Sequence, residues 1–394
     1  MFKKILKIFA VTQLLLIISW FLGEEIIPFR LARRSREITE FVNTSILWSR
    51  TNFDGTQFLQ IAKSGHGYLQ QVFFPLYPQL ISLFKNVFES YTISALFISF
   101  VSFTLMLFVL GKLLKEEKFK KSTIYRILLI LAFFPTSFYF SVVYTESLFM
   151  LLVVLSFYLA RKRNYLLAGF VAGLASYTRF IGIFLVPAII IDYCQQEKAG
   201  LSGTIVDKAR KAVKAIGFIF ISLWGLIAYM FFLKKTTGDP LYFVHIQQLF
   251  SPERAFHKLI LIYQVFWRYI KMVFSLNPSQ WAFYSVSLEL VVSTVFLGLL
   301  LWGWYKRKEY KIKESWLIFS FFAYSLPTIT GTFSSMPRFV LVCFPGFIVI
   351  ERLLGMAKKS NKKLLVIVAR FYLPLSILLL IIISAFFFRG YWVA

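Results

Sequence analysis

Four ionisable residues stand at positions where an apolar chain needs a reason to carry charge. Asp54 lies in Trp48-Ser-Arg-Thr-Asn-Phe-Asp54-Gly55-Thr-Gln-Phe-Leu-Gln-Ile-Ala62, and Glu146 opens an apolar run in Tyr144-Thr-Glu146-Ser-Leu148. Arg179 sits between two apolar runs in Tyr177-Thr-Arg179-Phe180, and Arg338 follows Pro337 in Ser334-Ser-Met-Pro-Arg338-Phe339. A carboxylate held near a hydroxyl can take its proton, and a guanidinium fork matches phosphate oxygens two at a time. Charge at membrane depth is costly, so Glu146 is a candidate for function, and Arg179 and Arg338 are candidates because they fall on the expected outer side against the positive-inside bias.

Each also has a plain structural reading. Asp54 suits the N-cap of a short amphipathic helix formed by Phe58, Ile61 and Ala62. Glu146 suits the positive end of a helix dipole, and the two arginines suit snorkelling at the membrane interface. Spacing leaves both readings open for all four. His245 and Gln247, in Gly238-Asp239-Pro240-Leu-Tyr-Phe-Val-His245-Ile-Gln247, are weaker candidates for lining a polar pocket.

The sequence contains no HExxH, no DxD and no Cys/His cluster at ligand spacing, so no bound metal and no cofactor are expected. GxSxG, P-loop and GxGxxG strings are absent as well, which disfavours a serine hydrolase, an ATPase and a Rossmann nucleotide-sugar domain. Cys194 and Cys343 offer no disulfide framework.

The elements that must hold these residues are membrane spans. Of 394 residues, 58% are hydrophobic, 47 are Phe and 16% are charged, against roughly 25% charged in a soluble domain. Apolar runs near 5–22, 92–114, 124–142, 146–160, 164–178, 180–193, 215–233, 283–304, 315–331, 338–355 and 367–388 predict an all-α polytopic protein with about eleven transmembrane helices. The net charge of +26 does not point to nucleic acid, because most Lys and Arg fall in short clusters between the runs. Met1-Phe-Lys-Lys before Ile5–Leu22 resembles a secretory signal, but Gly23-Glu-Glu25 lacks a cleavage site, so a retained first span is expected.

With a cytoplasmic N-terminus, every inner segment is basic: Lys3–Lys7, Lys115–Lys121, Arg161–Arg163, Lys198–Lys214, Lys306–Lys313 and Lys358–Lys363. That register puts the C-terminus outside. It leaves two long outer segments, 23–91 and 234–282, although Arg30, Arg33, Arg34 and Arg36 run against the charge rule locally. Within the first, Gln79–Phe88 has helical apolar spacing too short to span and reads as an interfacial helix. The chain is read as a single transmembrane unit over 1–394.

Phe53-Asp54-Gly55 with Phe58 and Ile61-Ala62, then Gly67-Tyr68, then Phe73-Phe-Pro-Leu-Tyr-Pro78 resembles the first outer loop of mannosyltransferases similar to phosphatidylinositol-glycan class V. Phe134-Pro135 to Phe149, Gly169 to Gly173 with Thr178-Arg179, Gly238-Asp-Pro-Leu241 to Gln247, and Pro337-Arg-Phe339 with Phe344-Pro345 follow in that family's order. The resemblance implies a C-type membrane glycosyltransferase (GT-C) fold and a polyprenyl- or dolichyl-phosphate-linked sugar donor, with mannose as the sugar. The acceptor would be a glycolipid or glycan, and Asp54 would sit at the reacting centre. Thr56, Gln57 and the pair Gln70-Gln71 depart from the family pattern, which leaves acceptor choice open.

On this reading Asp54 is the general base, Arg179 and Arg338 hold the donor phosphate, and Glu146, His245 and Gln247 contact substrate. The membrane would be a prokaryotic plasma membrane or an endoplasmic reticulum, with membrane lipids as the other partners. A polytopic transporter or lipid flippase, or a non-catalytic membrane subunit, would place the same charged residues on a path or a cap instead.

Overall fold

The computed structural model of the chain describes residues 1–30, 45–198, 205–254 and 258–393, and the side chains of 197–216 are not among those described. Arg33, Arg34 and Arg36, and the side chains of the basic run 198–214, therefore lie outside the described residues. All described regular structure is helical. The principal helices are α1 (Phe2–Ile26), α2 (Asp54–Ser64), α3 (Leu76–Phe88), α4 (Tyr91–Glu116), α5 (Lys121–Ala132), α6 (Glu146–Arg161) and α7 (Tyr165–Thr178). They are followed by α8 (Leu185–Lys198), α9 (Ile205–Thr237), α10 (Ile262–Ser275), α11 (Trp281–Tyr305), α12 (Glu314–Thr328), α13 (Phe344–Lys358) and α14 (Lys363–Phe388).

Every apolar run read from the sequence carries helix, but the count of eleven spans is not matched. Among the described residues, five helices are long and apolar enough to cross a bilayer: α1, α4, the 217–237 part of α9, α11 and α14. A sixth arises if Met336–Val342 and α13, which meet at an 85° bend, form one broken span. The remaining apolar helices are shorter; α6, at 16 residues, rises only about 24 Å against a hydrocarbon core of about 30 Å. Chain breaks explain the shortening. Phe133–Val142 is not continuous helix but holds a 3₁₀ segment, Ser137–Ser141, and Phe180–Phe184 is likewise 3₁₀ before α8.

Local chemistry sets several boundaries. Ser90 caps α4 by accepting from Ile93 N, and Asn164 caps α7 by accepting from Leu167 N. The interfacial helix α3 begins earlier than its periodicity suggested, at Leu76 inside the Pro-Leu-Tyr-Pro string, and buries Tyr77 and Ile81. Tyr77 hydroxyl reaches Ala95 O and Ser99 Oγ on α4, which pins α3 against that helix.

One apolar core runs through the bundle from Ile5 to Val393. At one end of it, basic segments expected on the same side of the membrane meet: Arg161 and Lys313 both pair with Glu117, and Lys162 pairs with Glu116. Glu146 opens α6 and Arg161 closes it, so the candidate carboxylate and this basic end are separated by the helix length.

Close backbone approach sets the position of α7 against α9. A Cβ on Gly225 would lie 1.9 Å from Gly173 O, and one on Gly173 would lie 2.0 Å from Trp224 Nε1. Small residues allow such contact where lipid supplies no hydrophobic drive between helices. Trp224 Nε1 donates to Phe170 O across the same seam. Arg179 is the residue that ends α7, so this seam fixes where it points.

Candidate active site

Asp54, Glu146, Arg179 and Arg338 come from four separate segments and meet at one cavity of about 670 Å³. Arg338 Nη1 donates to Asp54 Oδ2 at 2.7 Å, and Arg179 Nη1 donates to Glu146 Oε1 at 2.8 Å. Arg338 Nε stands 3.8 Å from that same Glu146 oxygen, too far for a hydrogen bond. The side chains of Glu146 and Arg338 are 4% and 10% exposed, so these are buried charges that need one another to offset desolvation.

Local geometry aims each group. Asp54 is the first residue of α2, but it does not cap that helix. The N-cap is Phe53, at φ 61°, and no side chain caps it. A bulky residue in the left-handed region is strained and needs its surroundings to hold it; here Phe53 packs on Phe387 and Trp392. The Asp54 amide donates to Tyr144 hydroxyl, which itself donates to Asn52 O, and Asn52 Nδ2 donates to Phe387 O. The carboxylate is thereby free of its helix and given to Arg338.

Glu146 is the first residue of α6, and its helix is likewise without a side-chain cap. Its Oε2 and Arg338 Nε are buried and carry no hydrogen bond from any described residue. A buried polar atom with an unmet bond costs about 1–3 kcal/mol, a cost carried inside the ionic cluster. Arg338 lies in the four-residue helix Met336–Phe339 after Ser335, at φ 70°. Arg179 and Arg338 also sit on the face of Phe339, at 4.9 and 5.1 Å.

The rest of the cavity wall is largely aromatic and aliphatic, with Phe73, Phe74, Phe180, Phe243 and Phe250 among its residues. Gln247 lines it, as the sequence suggested. His245 does not. Its side chain is 61% exposed and its Nδ1 meets Asp239 Oδ2 at 2.5 Å, because one helical turn, Tyr242–His245, carries it back towards the acid six residues earlier. The His245 bond holds the Asp239 carboxyl below the ordinary carboxylate range. Against the expectation that it lines the pocket with Gln247, His245 closes a surface loop.

Three cavity residues escaped the sequence reading. Arg254 lines the cavity and donates to Thr330 Oγ1 and Ser334 O, tying the second long segment to the turn that precedes Arg338. Glu253 accompanies it, and Trp392 reaches the cavity from beyond α14. An arginine on the side expected to be outer, against the positive-inside bias, was a usable signal for Arg254, as it was for Arg179. Deeper still, Glu289 is buried on α11 and accepts from Tyr269 hydroxyl, which also meets Thr332 Oγ1. Among the described residues no group of three or more His, Cys, Asp or Glu side chains is placed to hold a metal ion.

The family model "Mannosyltransferase (PIG-V)" matches residues 3–266. No curated protein matches the sequence. Among solved structures, the chain is similar to ArnT from Cupriavidus metallidurans, crystallised bound to undecaprenyl phosphate, at 11% identity and a TM-score of 0.51; the match covers 97% of this chain and 76% of ArnT. The shared feature is the fold, that of GT-C glycosyltransferases. A transporter or flippase reading has no support in these matches. The chain belongs to the PIG-V mannosyltransferase family and is a membrane glycosyltransferase.

Proposed function

We propose that the cavity transfers a hexose, mannose by family, from a polyprenyl- or dolichyl-phosphate donor to a hydroxyl of a glycolipid or glycan acceptor. The observation that carries this is the convergence of Asp54, Glu146, Arg179 and Arg338 in the lining of a largely apolar cavity. An apolar wall suits a lipid tail, and two arginines beside two carboxylates suit a phosphate leaving group next to a hydroxyl to be deprotonated. That the ArnT crystal contains undecaprenyl phosphate supports the same class of lipid here.

The transfer needs one bond made and one broken. The acceptor oxygen attacks C1 of the sugar, the C1–O bond to phosphate breaks with its electron pair going to phosphate, and the acceptor proton passes to Asp54. Asp54 Oδ2 is occupied by Arg338, which assigns the proton to Oδ1. Arg338 then serves two partners, Asp54 through Nη1 and the departing phosphate through the rest of its guanidinium charge. Arg179 balances Glu146 and shares the growing phosphate charge. Gln247, which also lines the cavity, contacts substrate.

The same reading makes 1–394 one catalytic unit with the cavity on the extracytoplasmic side, the N-terminus in the cytoplasm and the C-terminus outside. The gathering of Glu117, Arg161 and Lys313 at the end of the bundle remote from Glu146 supports it. The test is transfer of labelled sugar from polyprenyl-phosphate mannose by lipid-reconstituted protein, wild type against Asp54→Asn. The near-isosteric variant is expected to insert normally and lose transfer by about 10²-fold or more. Turnover like wild type would remove Asp54 from the base role.

A further inference from the structure

The segment after α14 folds back on the site. Gly390, at φ 83°, turns the chain, and Tyr391 N donates to Phe386 O. Arg389 Nε donates to Ile27 O, and Arg30 N donates to Arg389 O. Trp281 stacks on Phe386 at 4.2 Å and donates its indole N–H to Trp392 O at 2.6 Å. Val393 beyond it is 1% exposed. The backbone around Trp392 is thus fixed from three sides.

What this fixed segment delivers to the cavity is an indole ring. Trp392 is half-buried and lines the cavity with Asp54 and Arg338. Its ring centroid is 5.1 Å from Phe53 and 5.8 Å from the Arg338 guanidinium carbon. Two aromatic residues with polar atoms line this cavity, Tyr144 and Trp392. Tyr144 is 1% exposed and its hydroxyl is spent on Asn52 O. The Trp392 N–H donates to no described residue.

A hexose has an apolar C–H face and hydroxyl edges, and an indole answers both: its electron-rich face attracts the C–H edges and its N–H can donate to an oxygen. In a sugar-phosphate donor, C1 is bonded to the phosphate oxygen, so the sugar ring lies directly beside whatever cation holds the phosphate. We infer that Trp392 is the platform for the donor's hexose ring, placed by its proximity to Arg338 and fixed by the fold-back of 389–393. This rests on the donor reading above. Trp392 then acts on the sugar and not on the lipid phosphate, and it sets which hexose is accepted.

The experiment separates the two halves of the donor. Full-length wild type, Trp392→Ala and Trp392→Phe are reconstituted, and two quantities are measured: the KM for polyprenyl-phosphate mannose in transfer, and the affinity for sugar-free polyprenyl phosphate. Loss of one stacked ring predicts a rise in KM of about tenfold for Trp392→Ala, with sugar-free affinity unchanged. Trp392→Phe, which keeps a ring and loses the N–H, is expected to fall between. Equal loss of both affinities, or no change in either, would overturn the platform. A wild type that neither transfers mannose nor binds polyprenyl phosphate would instead overturn the donor reading, and the platform with it.

Discussion

Arg338 and Asp54 are 284 positions apart in the chain and 2.7 Å apart in the site. The contact joins the start of α2 to the bend before α13, and Glu146 with Arg179 lies against it. Asp54, Glu146 and Glu253 face Arg179, Arg254 and Arg338 around the cavity, so the formal charges balance before any substrate enters. A donor phosphate therefore does not meet bare cations. On the proposed reading it would share Arg338 with Asp54, which would couple donor arrival to the state of the proposed base.

From that sharing follows a split in the effect of Arg338→Lys. Lysine keeps the charge but has no planar fork, so it can serve Asp54 or the phosphate and not both in the same geometry. The expected result is a donor KM raised by about tenfold or more, with protein that still inserts and purifies. A donor KM equal to wild type would show that phosphate is held elsewhere.

Glu146 separates an orienting acid from a proton acceptor. In Glu146→Gln the amide oxygen can still accept from Arg179, but one negative charge is removed from beside both arginines. The donor phosphate then competes with one fewer carboxylate. The expected outcome is a lower donor KM together with lower turnover, because the arginines are less well oriented. Loss of turnover as deep as that of Asp54→Asn, with donor KM unchanged, would move the base role to Glu146.

Much of the fold was legible in the sequence because apolar runs and basic clusters follow from the bilayer itself, and each run does carry helix. The span count was not. Phe180–Phe184 is apolar, so hydropathy cannot tell its 3₁₀ turn from continuous helix, and Pro135-Thr136-Ser137, leading into the other 3₁₀ segment, was a break signal left unread. Glu146, Arg179 and Arg338 were singled out because charge near a bilayer is rarely idle, and Asp54 by the family resemblance of its loop. Their pairing was not readable, because nothing local to Asp54 refers to a residue 284 positions away. His245 misled for a related reason: a polar residue in a polar loop has many partners, and Asp239 was nearer than the cavity. Trp392 was passed over because a Trp just beyond an apolar run reads first as an interfacial anchor.

The seam between α7 and α9 gives a prediction remote from chemistry. In Gly225→Ala the new methyl would fall 1.9 Å from Gly173 O, and backbone cannot move aside as a flexible side chain can. Overpacking of this kind costs about 1–3 kcal/mol. The helices must separate, and Arg179 at the end of α7 shifts relative to Glu146. A thermal midpoint lowered by several degrees with reduced transfer is expected. Gly217→Ala, where an added methyl meets nothing within 4 Å, is the control and should match wild type. Equal behaviour of the two variants would show that the seam is not tight.

His66 ties the loop after α2 to the start of the Phe-Phe-Pro-Leu-Tyr-Pro string, with Nε2 at 2.9 Å from Phe73 O and its ring against Tyr229 and Phe232. Donation to that carbonyl requires the proton on Nε2. Burial pushes the pKa of His66 below its ordinary value, outweighing the Phe73 bond, which raises it. The unfolded chain therefore takes up a proton near pH 6.5, before the folded site does. Unfolding binds a proton in this window, so stability is full above about pH 6.5 and falls as pH drops towards the folded pKa. Thermal midpoints of wild type and His66→Gln, measured in lipid from pH 8 to pH 5, test this. Wild type is expected to lose stability below about pH 6.5 more steeply than the variant, which has no group to protonate there. Parallel profiles would mean that His66 titrates alike in the folded and unfolded chains, and that Phe73 is held in place without it.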